Sequence, residues 1–236
     1  MFAKTMSADL NTKSLTAAVA ESLAWLSDVG FRYSKSKKDF GRRNDNGFSY
    51  IAVNVVTHNR IDYDLAFYLG VQITEVEAWL LKLTGDTRPL SRHDLTIWNY
   101  TVNIGPSSPH WRFPIRGIWS VSKLEGFNSI SKEVNRFIRE LAIPFVDEQR
   151  DPLVLRRTLI ETPGHATNIW PYQQILAIDC LYGSPEQLQA DFALLDRRYE
   201  SYSPGPRQEF DKFVATVKKA TNGEQAAAPN AAPPHR

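Results

Sequence analysis

The chain has a single cysteine, Cys180, so it can form no intrachain disulfide and lacks the paired thiols of the usual zinc patterns. Cys180 lies in the apolar segment Ile175-Leu176-Ala177-Ile178-Asp179-Cys180-Leu181, with no basic residue nearby in sequence. A reactive thiolate needs an electropositive, partly open setting, so this thiol is expected to be buried as a small hydrophobe. Long apolar runs are also missing: none approaches the roughly 18 residues of a membrane helix. Glu21, Ser22 and Asp28 interrupt Met1 to Gly30, so a signal-peptide core is absent as well. These absences lead to the expectation of a cytoplasmic protein with no membrane partner. Charge of one sign is not in excess either, with 28 basic and 26 acidic residues. Global charge therefore gives no argument for nucleic acid, and any such case rests on local clusters.

Chemical motifs are equally scarce. There is no G-x-x-x-x-G-K-[ST] phosphate loop, no G-x-S-x-G nucleophile elbow and no G-x-G-x-x-G fingerprint. None of His58, His93, His110, His165 and His235 stands three to five residues from another, so no helical metal pair exists. Arg92-His93-Asp94 echoes a kinase catalytic loop only by letters, because the downstream Asn and the glycine loop are missing. No catalytic residue, metal site or cofactor is assigned.

What is present suffices for a packed core: 236 residues, 42% hydrophobic and 11% aromatic. Leu15, Val19, Leu23 and Leu26 recur at helical spacing and predict a helix from Thr12 to Asp28, with Gly30 as its stop. The period then changes. Phe31-Arg32-Tyr33, Asp39 to Arg43, and Phe48 to Val56 flank the turn cluster Asn44-Asp45-Asn46-Gly47 and predict a hairpin. Tyr63 to Leu69 adds a third antiparallel strand, making a meander. Thr74 and Glu77 fit a capping box, which predicts a short helix through Leu83. Leu95 to Ile104 and Arg116 to Val121 read as further strands around a proline-broken loop. From Asn128 the period is helical, with starts at Asp151-Pro152 and Ser184-Pro185 and a further helix over 168–182. A break at Ser203 to Pro206 precedes the last helix.

The expected fold is therefore α+β: an antiparallel β-meander sheet packed by an N-terminal helix and a C-terminal helical bundle. Residues 1–11 form a flexible arm and 12–221 one domain, divided into a helix-plus-sheet part (12–122) and a helical part (123–221). The Ala- and Pro-rich tail, 222–236, is expected to be disordered.

A helix leading into Gly30-Phe31-Arg32-Tyr33-Ser34-Lys35, then Phe40-Gly41-Arg42-Arg43-Asn44, a glycine turn, the strand Phe48 to Val56 and Phe67-Tyr68-Leu69-Gly70-Val71 resembles the bacterial domain-of-unknown-function family 4304. The likeness covers roughly residues 12–72. It implies an immunity-protein-like role rather than an enzyme and supplies no catalytic residue.

Two surface features are candidates for function. Arg32, Lys35, Lys37, Lys38, Arg42 and Arg43 fall within twelve residues, offset by Asp39 and interleaved with Phe31, Tyr33 and Phe40. A basic hairpin with aromatics can grip a phosphate backbone or dock an acidic protein. It can also be a solvated edge whose charges discourage aggregation, its aromatics belonging to the core. The second feature is the loop Ser107 to Pro114, where Trp111 and Arg112 are residue types that interfaces favour. The acidic pairs Asp62/Asp64 and Glu75/Glu77 fit ordinary roles, a solvated strand face and a helix-dipole partner. The sequence points first to a non-catalytic protein-binding protein with a toxin-like partner. A nucleic-acid-associated protein and an enzyme with an unrecognised site stand behind it, and the oligomeric state is open.

Overall fold

The computed structural model describes residues 11–58, 62–91, 96–100, 118–161 and 170–225. It is an α+β fold whose chain divides into two compact units: residues 1–73 with 92–151, and residues 74–91 with 152–236.

In the first unit, helix α1 (Thr12–Ser22) opens with a reciprocal cap. The Asn11 side chain accepts from the Ser14 N–H, and the Ser14 hydroxyl accepts from the Asn11 N–H. The predicted continuation to Asp28 is instead a tighter 3-10 segment, Ala24–Val29, which still buries Leu26. Gly30 ends it at φ 86°, a left-handed conformation that disfavours any side chain.

The strands β1 (Arg32–Ser34), β2 (Asp39–Asn44), β3 (Gly47–His58), β4 (Asp62–Ile73) and β5 (Ile97–Tyr100) follow one another across the sheet, all antiparallel. β3 and β4 form its spine, paired over twelve residues from Gly47↔Ile73 to His58↔Asp62. β6 (Ile118–Val121) shares one edge of β4 with β5: β5 lies against Tyr68 to Val71, and β6 against Tyr63 to Ala66. The two are halves of one edge strand, and residues 101–117 between them lie outside the described residues.

Alternation along β4 turns Tyr63, Leu65, Phe67, Leu69, Val71 and Ile73 to one buried face. Helix α3 (Leu124–Phe137), a π-helical turn (Ile138–Ala142) and α4 (Ile143–Glu148) belong to this unit with α1. Phe67 is the hub, edge-on to Trp119 at 6.0 Å and stacked on Phe137 at 6.1 Å. Trp25 reinforces the helical layer: its indole N–H donates to Asn135, which donates in turn to Ser22, while Arg139 lies 3.6 Å over the Trp25 ring.

The second unit is helical among its described residues: α2 (Thr74–Thr84), α5 (Pro152–Glu161), α6 (Trp170–Tyr182), α7 (Pro185–Tyr199) and α8 (Pro204–Gln225). Ser184 caps α7, accepting from the Gln187 N–H at 3.2 Å. The Gln187 amide donates to Asp191. Its core is aromatic: Tyr172 meets Tyr199, Phe210 and Phe213 edge-on at 5.1–5.3 Å, and Tyr199 stacks on Phe210 at 4.8 Å.

Phe67→Ala should destabilise the first unit by about 3–5 kcal/mol, since it leaves a cavity between Trp119 and Phe137. Urea denaturation followed by tryptophan fluorescence would read this, and a cost below about 1 kcal/mol would contradict the assignment of Phe67 as the hub.

Candidate functional site

The β1–β2 hairpin carries the candidate cations, and its turn is well determined by local bonds. The Ser34 carbonyl accepts from the Lys38 N–H at 2.8 Å, and Lys38 adopts φ 57°. The Lys38 carbonyl accepts from Val53 N–H at 2.9 Å, pinning the end of the turn to β3. Lys35, Lys37 and Lys38 are thereby held exposed at the tip.

Register decides where the remaining side chains point. Tyr33 stands opposite Phe40, and Phe40 opposite Ile51, so all share the core face. Phe31 and Phe40 are buried, and the Tyr33 and Phe40 rings lie 4.8 Å apart. Arg42 is on that same face. Arg32 and Arg43 are exposed on the other, where Phe48 and Tyr50 stack at 6.1 Å. Burial raises the Tyr33 phenol above its ordinary pKa, and the Asp39 carboxylate adds to this.

Arg42 therefore differs from the other five. Its side chain is 16% exposed and pairs with Asp147, the penultimate residue of α4. The guanidinium lies 4.4 Å over the Phe31 ring and reaches the Val29 carbonyl at 3.5 Å. A neighbouring bond, from the Asn46 amide to the Arg150 carbonyl at 2.6 Å, ties the β2–β3 turn to the same region. Arg32, Lys35, Lys37, Lys38 and Arg43 make no ion pair among the described residues. Trp111 and Arg112 lie outside the described residues.

A second constellation sits at the far end of the β3–β4 spine. Asp64 accepts from Ser120 at 2.7 Å and pairs with His58 at 2.8 Å. These bonds, that from Ser120 foremost, lower the Asp64 pKa. The order is Ser–Asp–His, with the carboxylate in the middle. The serine proton therefore points at Asp64, and the imidazole is not placed to take it, as nucleophilic catalysis requires. Asp62 is exposed beside it, as a solvated strand face requires. Among the described residues, no group of three His, Cys, Asp or Glu could hold a metal ion.

Sequence reasoning missed a buried cluster in the helical unit. The α5 residue Arg156 donates to Asp179 of α6 at 2.5 Å and to Asp191 of α7. The Asp179 side chain is fully buried. Burial first, and the Asp191 carboxyl second, push its pKa up to about 7, against the opposing pull of Arg156. The signal was a lone carboxylate inside the apolar run Ile175 to Leu181, since a buried charge demands a partner. With Asp179 turned inward, its neighbour Cys180 is half-buried rather than buried. Elsewhere in this unit, Tyr182 donates to Glu75 at 2.7 Å.

No family model, curated protein or solved structure matches this chain. Among the described residues no helix is long and apolar enough to cross a membrane.

The raised Asp179 pKa fixes the sign of a pH effect. Between the unfolded value near 3.8 and the folded value of about 7, the folded state holds the extra proton. Stability from this group is thus full below about 4 and lost as pH rises to about 7. Asp179→Asn, which keeps a neutral group there, should remove this fall. The stability of wild type relative to the variant should drop by about 1–3 kcal/mol from pH 4 to pH 7.5. Parallel urea midpoints across that range would contradict the assignment.

Proposed function

We propose that this chain is a non-catalytic binding protein whose partner presents an acidic protein surface to the tip of the β1–β2 hairpin. The observation that carries this reading is the set of five exposed cations, Arg32, Lys35, Lys37, Lys38 and Arg43, on a hairpin clamped to its own core. Charges without an internal partner on a pre-ordered element favour fast, oriented encounter with an opposite charge. The aromatics of the same segment support a protein over a nucleic-acid partner. Phe31 and Phe40 are buried, so neither is offered as a stacking platform for bases. An immunity-type role, which the resemblance read in residues 12–72 implies, fits such a surface: the chain would occupy and block a toxin made in the same bacterium.

The test pairs the chain with the product of the adjacent gene. A stable complex at micromolar concentration is expected. Lys35→Glu, Lys37→Glu and Lys38→Glu together should weaken it at least about 100-fold, mainly in the association rate. No association, or an unaffected triple variant, would contradict the proposal. Salt-sensitive binding of the wild type to a single-stranded 12-mer oligonucleotide, lost in the triple variant, would move the assignment to nucleic acid.

A further inference from the structure

Beside the hairpin, and within the same unit, α1 and β1 enclose a cleft of about 760 Å3, in the range of small-molecule sites. Helical spacing builds one wall. Thr12, Thr16 and Ala20, at i, i+4 and i+8, form its deeper stripe, and Lys13, Ala17 and Glu21 the outer one. Thr16 is buried, whereas Lys13, Ala17 and Glu21 are exposed. Tyr33, Lys35 and Lys38 form the facing wall. The small side chains at 17 and 20 are what keep the space open, and the surfaces offered are methyl groups, an aromatic ring and lysine stems. Its charge is uneven: three lysines stand against the single carboxylate of Glu21, and none of the four makes an ion pair among the described residues.

We propose that this cleft binds a mono-anionic amphiphile, an unbranched apolar chain ending in a carboxylate. The carboxylate lies among Lys13, Lys35 and Lys38, and the chain runs along the Thr12–Thr16–Ala20 stripe beneath the Tyr33 ring. Eight residues of α1 rise about 12 Å, which matches an extended chain of about ten carbons. Each methylene moved from water onto this surface adds to affinity, while the lysines discriminate the anion from its neutral analogue. The proposal is independent of the protein-partner reading, although the two share Lys35 and Lys38.

Isothermal titration of the full chain with decanoate, below its micellar concentration, should give saturable binding at one site. Decanol should bind at least about tenfold more weakly, and butyrate should not bind measurably. Ala17→Phe fills the cleft from an exposed position and leaves every lysine in place, so it should abolish decanoate binding while the circular dichroism spectrum is unchanged. Lys13→Gln should weaken decanoate several-fold and leave decanol unaffected. Absence of saturable decanoate binding, equal affinity for decanoate and decanol, or retained binding in Ala17→Phe would each overturn the proposal. Because Ala17→Phe leaves the hairpin tip intact, loss of the ligand and loss of a protein partner are read separately.

Discussion

The cationic hairpin depends on one interaction, the clamp on Arg42. A three-residue strand at the edge of a sheet has little pairing of its own with which to hold a shape. Arg42 supplies what the ladder cannot. Its guanidinium is bracketed by the Phe31 ring, the Asp147 carboxylate and the Val29 carbonyl. One side chain thus joins the end of the 3-10 segment, the strand β2 and the helix α4. Both charges of the pair are partly shielded from water, Arg42 more than Asp147, so the bond is screened less than a surface pair. The consequence is a division of labour within one basic stretch: one cation turns inward and holds the hairpin, and five turn outward.

Behind the clamp stands the β3–β4 ladder. Its twelve paired residues set the register of everything beside it, because a slip by one would turn Phe67 and Leu69 to the opposite face. β2 takes its register from β3, and β1 from β2. That chain of pairings decides that Tyr33, Phe40 and Arg42 point to the core and Arg32 and Arg43 away from it.

Much of this was legible beforehand. Alternation in Tyr63 to Leu69 announced β4, the Asn44 to Gly47 cluster announced the β2–β3 turn, and Gly30 announced the end of the first helical segment. All are local signals. What could not be read was which helices accompany the sheet. Residues 124–148 group with the strands through Phe137, and residues 74–84 group with the C-terminal helices. Helical periodicity reveals that a face is apolar but not what it meets. The site shows the same limit. The density of basic residues over Arg32 to Arg43 was visible, yet the separate position of Arg42 was not, since Asp147 is 105 residues away. The Arg156–Asp179–Asp191 cluster was hidden for a like reason, its members lying on three helices 23 and 35 residues apart from Arg156.

The most direct test of the account is amide hydrogen exchange, at fixed pH and salt, on the wild type and on Asp147→Asn. If Arg42 is the clamp, protection of the amides in Arg32–Ser34 and Asp39–Asn44 should fall at least about tenfold in the variant, while the centre of β3 and β4 keeps its protection. Unchanged protection of the hairpin would contradict the claim that this bond holds the cationic face in place.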